Sequence, residues 1–153
     1  MVDETSAKSA FDQAMKNYKP EFGKFFLAQL LALDISYPDD RCVIRFPVHD
    51  FLFNPQGSLH GGVVATVMDI SMGHLLHRSY DRAGTTIEMK VQYMRPINAG
   101  TAVCTGQFLK RGRSIAFLES RLEDSSGALA AIATSTWKCS KPGQNEKEIA
   151  ERI

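Results

Sequence analysis

A chain of 153 residues, 44% hydrophobic and 23% charged, is long enough for one domain with a substantial core and short for two. The net charge of +1 excludes bulk attraction to nucleic acid or an anionic membrane as an organising property, while leaving a local basic cluster open. Cys42, Cys104 and Cys139 are odd in number and far apart, which fits neither a disulfide framework nor a zinc motif and favours a reducing compartment.

The first residues, MVDETSAKSAF, are polar and lack the apolar run of a signal peptide, so a soluble, cytoplasmic protein is expected. Residues 6–18 carry Ala10, Phe11, Ala14, Met15 and Tyr18 at helical spacing. Pro20 suits the first turn of a second short helix running through Phe22, Phe25, Phe26 and Leu30. Leu33–Tyr37 reads as a strand and "PDDR" as a turn. Cys42, Ile44, Phe46 and Val48 then alternate with Val43, Arg45 and Pro47, the period of a half-buried strand. A loop over 49–59 leads to a helix from Gly61 that ends before "DRAG". That helix is apolar on almost every side, so it is expected to be enclosed by other structure. Its apolar run is too short for a bilayer, which needs about 20 residues, and membrane insertion is not expected.

After Gly84 the period becomes two. Ile87, Met89, Val91 and Tyr93 share one face, and Thr86, Glu88, Lys90 and Gln92 the other. Three further strands are expected over 101–110, 114–123 and 128–139, joined by "KRGR" and "EDSSG" at hairpin length. A polar tail from Ser140 is expected to fray. The architecture is therefore α+β in a single domain, 1–153. About six strands, four of them consecutive and hairpin-joined, form an antiparallel sheet around one long central helix, behind an N-terminal helical segment over 1–30.

Chemistry concentrates in "NPQGSLHGGVVATVMDISMG". Gly61 and Gly62 stand where a loop becomes a helix, and first-turn N–H groups there are unpaired at the positive end of the dipole. Such a place suits an anion or a developing oxyanion; tight packing of the loop is the plainer reading. Asp69 lies within the apolar helix with no lysine or arginine nearby. Apolar surroundings raise a carboxyl pKa toward the range of a general base, although a water-bridged structural role would also fit. Gly61 and Asp69 are eight residues, or about 12 Å, apart along one helix axis, too far to act on one carbonyl. Two antiparallel copies would bring Gly61 of one beside Asp69 of the other, so joint catalysis implies a dimer.

Other polar groups are more ambiguous. His60 either donates to a ligand or fixes its loop. His74 and His77 share a helix face, but without a third ligand they read as packed or solvated rather than metal-binding. Thr86 either holds a water or is an ordinary strand residue. Lys110, Arg111 and Arg113 around Gly112 either bind phosphate or form a solvated hairpin tip.

The segment quoted above, followed by "TTIEMKVQYMRPINAG", resembles the hotdog-fold acyl-CoA thioesterases, in the branch of the phenylacetate-pathway and human-type small thioesterases. The shared pattern is N-x-x-G-x-x-H-G-G and then Asp on the same helix, and the resemblance runs over roughly residues 30–139. It implies the hotdog fold, with Asp69 as general base or nucleophile and the Gly61 N–H polarising the thioester carbonyl. Asn54 would place water or the carbonyl, His60 would shape the loop, and Thr86 would orient the water. Gly62 would adjoin the substrate, and Lys110, Arg111, Gly112, Arg113 and Ser114 would meet the nucleotide part of coenzyme A. The family also implies a dimer, often paired into a tetramer, and no metal; coenzyme A is then part of the substrate and not a retained cofactor. The expected activity is hydrolysis of an acyl- or aryl-CoA thioester. A hotdog dehydratase or hydratase and a non-catalytic acyl-CoA-binding protein are the alternatives.

Overall fold

The computed structural model describes residues 2–80 and 84–139, so residues 81–83, which follow the expected end of the central helix, and the tail from Ser140 lie outside the described residues. Helix α1 (Glu4–Asn17) begins two residues before the apolar spacing does, because Asp3 caps it. The Asp3 carboxylate accepts from the N–H groups of Thr5 and Ser6 at 3.0 and 3.1 Å, satisfying two first-turn donors. The second helix, α2, covers only Phe26–Leu30, and Pro20 does not start it. Residues 19–24 form a turn instead, closed by Lys19 N–H donating to Lys24 O at 2.8 Å. Gly23 sits there at φ +80°, a left-handed conformation that no helix contains.

Six strands form one antiparallel sheet: β1 (Asp34–Ser36), β2 (Arg41–Pro47), β3 (Thr85–Tyr93), β4 (Thr101–Lys110), β5 (Ile115–Glu123) and β6 (Leu129–Lys138). Their order is β1-β2-β4-β5-β6-β3, so β3 and β4, although consecutive, are not a hairpin. Between them the chain crosses the end of the sheet, fixed by Leu59 N–H to Ile97 O at 2.8 Å and Val48 N–H to Gly100 O at 2.9 Å. That path delivers β4 to β2 and leaves β3 at the far edge, paired among the described residues with β6 alone.

A bulge corrects the expected faces of β3. Thr86 pairs with Trp137 and Glu88 with Thr136, so Ile87 is an extra residue. The insertion turns Thr86 to the inner face with Met89 and Val91, away from Glu88 and Lys90, and leaves Ile87 55% exposed.

Helix α3 (Gly61–Tyr80) lies along the inner face of this sheet. Val67, Met68, Met72, Leu75 and Leu76 are buried, each contributing about 1.5–3 kcal/mol on leaving water. The sheet offers small side chains beneath them, including Ala102, Cys104, Ala116, Ala131 and Ala133. At Gly106 a Cβ would lie 3.0 Å from the Ser71 carbonyl oxygen, so a side chain there would push the helix off the sheet. Of twenty helical residues only Gly62, Arg78 and Ser79 are exposed; Val63, Thr66, Asp69, Ile70 and Gly73 form a half-buried stripe. No helix among the described residues is long and apolar enough to cross a membrane.

Candidate active site

The start of α3 presents one open donor. His60 O accepts from Val63 N–H and Val64 N–H at 2.9 and 3.1 Å, while the His60 ring nitrogen Nδ1 accepts from Gly62 N–H at 2.9 Å. Three of the first-turn donors are thus paired, and among the described residues the Gly61 N–H alone in that turn has no partner. Tyr93, from the end of β3, donates its hydroxyl to Gly61 O at 2.9 Å. Its ring edge lies 3.3 Å from where a Gly61 Cβ would stand, so the bare backbone is what lets the ring approach. Asn54 uses Oδ1 to accept from the N–H groups of Gln56 and Ser58, at 3.0 and 3.2 Å, and donates from Nδ2 to Ser58 Oγ at 3.1 Å. Its side chain therefore builds the loop and keeps one Nδ2 hydrogen for a ligand. A cavity of about 350 Å³, lined by Asn54, Gly61, Tyr93, Arg95 and Ile97 among others, opens on this end.

Asp69 lies on the same helix and lines a different cavity. Burial raises its carboxyl above the ordinary range, and the Thr86 hydroxyl, donating to Oδ1 at 2.8 Å, partly offsets that. Oδ2 has no partner among the described residues. Only the bulge permits this contact, since strict alternation would aim Thr86 outward. This second cavity is also about 350 Å³ and is lined by Phe22, Phe25, Asp69, Ile70, Gly73, His74, Thr86 and Trp137, with Gly84 and Thr85. No residue lines both cavities. Within one chain, then, the open donor and the carboxylate face separate spaces.

The 110–114 hairpin tip stands at the other end of α3. Tyr80 donates its hydroxyl to Gly112 O at 2.8 Å, anchoring the tip to the helix. Arg111 is exposed, 3.2 Å from Asp40, with its guanidinium 4.5 Å over the Phe108 ring. Lys110, Arg113 and Ser114 are exposed. His74 is packed: burial, aided by His77 nearby, pushes its imidazole down to about 4, and Nδ1 lies 2.7 Å from the Tyr37 hydroxyl. His77 stacks on Phe22 with ring centres 3.9 Å apart. Among the described residues no three His, Cys, Asp or Glu side chains gather as a metal site would require. Burial pushes the thiols of Cys42 and Cys104 up to about 12 and about 11, so neither supplies a thiolate nucleophile.

Tyr93, Phe22 and Phe25 were not legible as site residues. Tyr93 follows the apolar alternation of its strand, and nothing local ties it to Gly61. The two phenylalanines read as one face of a helix, whereas the turn at Gly23 brings them to α3.

An antiparallel sheet around one enclosed helix, with a carboxylate inside that helix and an open N–H at its start, defines a hotdog-fold protein. Residues 56–131 match the thioesterase superfamily. Human acyl-coenzyme A thioesterase 13 is 31% identical over 104 residues, covering 67% of this chain and 69% of that protein. A Bacillus halodurans protein crystallised with CoA shares the fold at a TM-score of 0.82 and 20% identity, over 91% of this chain and 94% of its own. The Escherichia coli PaaI protein of the phenylacetic acid degradation operon does so at 0.73 and 18%, over 86% and 96%. The chain belongs to the thioesterase superfamily and is a thioester hydrolase.

Proposed function

We propose that this enzyme hydrolyses acyl-CoA thioesters to a free acid and coenzyme A, at a site shared between two copies of the chain. The observation that carries this reading is the placement of both half-sites on β3. Thr86 near one end holds Asp69, and Tyr93 at the other holds Gly61. β3 is an edge strand of nine residues with one side unpaired among the described residues. Antiparallel pairing with its own copy, about a twofold axis near Met89 and Lys90, sets the Thr86 end of one strand opposite the Tyr93 end of the other. The half-buried stripe of α3 then meets its counterpart, and each Asp69 faces the other copy's Gly61.

In that site the thioester oxygen accepts from the Gly61 N–H at the positive end of α3. Asp69 of the second copy takes a proton from water through Oδ2, and the water oxygen bonds to the carbonyl carbon. The negative charge that forms on the carbonyl oxygen stays at the N–H. As the carbonyl re-forms, the C–S bond breaks and the coenzyme A sulfur leaves with the proton that Asp69 held. Raised basicity is what a general base near neutral pH requires. Exposed Arg111 and Arg113 supply positive charge for the phosphates of coenzyme A.

Asp69→Asn tests the reading. The variant keeps the size of the side chain and removes the base, so thiol release from an acyl-CoA panel should fall at least ~100-fold with the protein folded. Turnover near the wild-type rate would overturn the assignment of Asp69.

A further inference from the structure

The cavity beside Asp69 has a wall made by the N-terminal segment, which lies outside the span matching the superfamily. Phe22 and Phe25 form it, and Ile70, Gly73 and Trp137 line the same space. Phe22 is held in two ways: its ring stacks on His77 at 3.9 Å and 8°, and meets His74 edge-on at 5.2 Å. The left-handed turn at Gly23 makes this possible, and a Cβ there would lie 3.3 Å from the His74 ring. Phe22 is nevertheless 46% exposed, so it forms the rim and not the floor.

Among the described residues no lysine or arginine lines this cavity, whereas Arg95 lines the one at Gly61 and the basic hairpin lies elsewhere. An acyl group ending in a carboxylate would have no counter-charge here and would meet Asp69. Phosphates would fare no better, so the occupant is the uncharged, apolar end of the acyl group. We propose that Phe22 and Phe25 gauge the length of that apolar acyl group, making the N-terminal segment the specificity element of the enzyme. This rests on Asp69 acting at the thioester carbonyl, because that fixes where the acyl chain begins.

Each methylene placed against such walls raises kcat/KM about fourfold, until the chain end reaches the rim. A series of straight-chain acyl-CoA esters, from two to sixteen carbons in ~two-carbon steps, reads out that limit. Phe22→Ala combined with Phe25→Ala should move the optimum to longer chains by at least ~two carbons, and Phe22→Trp should move it to shorter ones. The opposed directions separate gauging from general damage, and the Trp variant decides if the Ala variant fails to fold. An unchanged optimum overturns the proposal. Asp69→Asn in the same series distinguishes the underlying reading, since loss of the base lowers every chain length alike and leaves the optimum in place. Full activity of Asp69→Asn would remove the mechanism, while a shifted optimum in the Phe22 variants would still establish the wall.

Discussion

Mixing two inactive variants is the most discriminating experiment on the shared site. One subunit carries Asp69→Asn, and the other carries Gly61→Pro, which deletes the open N–H. Proline is tolerated in a first helical turn, so α3 can still form. The added Cβ falls 3.3 Å from the Tyr93 ring edge, the tip of a side chain that must shift by a few tenths of an ångström to admit it. Every site in either homodimer lacks one component, so each preparation alone should show no more than ~1% of wild-type thiol release. In a mixed dimer one site collects both lesions and the other collects neither. Random re-pairing makes half of the dimers mixed, and half of their sites are whole, so about a quarter of wild-type activity should return, ~25-fold above either parent. A thiol-reactive dye reads the released coenzyme A with little background, because Cys42, Cys104 and Cys139 are buried. Subunit exchange is checked separately by co-purification through a tag carried on one variant. Confirmed exchange without recovery of activity would refute the shared site, since donor and base in one chain gain nothing from a partner.

Thr86→Val keeps the shape and removes the hydrogen bond that lowers the Asp69 pKa, so burial acts unopposed and the carboxyl moves further up. In the proposed mechanism the active form is the carboxylate; the acid limb of kcat/KM should therefore shift to higher pH, and an unmoved limb would show that Asp69 does not govern it. Asp69→Asn should also change stability. A carboxyl raised on folding favours the fold below its unfolded pKa, 3.8, and loses that advantage as pH rises through the folded value. The Asn variant should thus be relatively most stable near neutral pH, with the difference shrinking toward pH 4 in thermal melts. Replacing Arg111 and Arg113 together with Ala should raise KM for acyl-CoA about 5–30-fold, weaken its salt dependence and leave kcat nearly intact. An unchanged KM would make the hairpin a solvated tip.

The central helix and the paired strands over 101–139 were legible because burial on all sides and burial on one side leave different periodicities. Strand order was not. The stretch from Met94 to Gly100 resembles a turn, but whether β3 pairs with β4 or β6 depends on contacts with residues 48–59 that no local window contains. The bulge is equally silent, since Thr86 to Gln92 alternates perfectly in type while Ile87 is looped out. For the site this mattered: the motif named Asp69, Gly61 and Thr86, but only the looped-out Ile87 explains how Thr86 reaches the carboxylate. The N-terminal wall was hidden for another reason, because Phe22 and Phe25 fit a helical face as well as they fit a turn onto α3.

Strand order also sets when the catalytic geometry can exist during synthesis. Among the described residues β3 has one partner strand, β6, and Met89 lies opposite Ser135. A nascent chain that has emerged as far as β5 already contains Asp69, Thr86, Gly61 and Tyr93, yet it lacks β6, the strand that β3 pairs with within the chain. Closing so long a loop costs more entropy than closing the β4–β5 hairpin, so β3 is expected to dock after β4 and β5 have paired. The Thr86–Asp69 and Tyr93–Gly61 contacts of the proposed site would then form together with the final strand, and a ribosome stalled before residue 129 would carry those four residues on a chain that lacks β6.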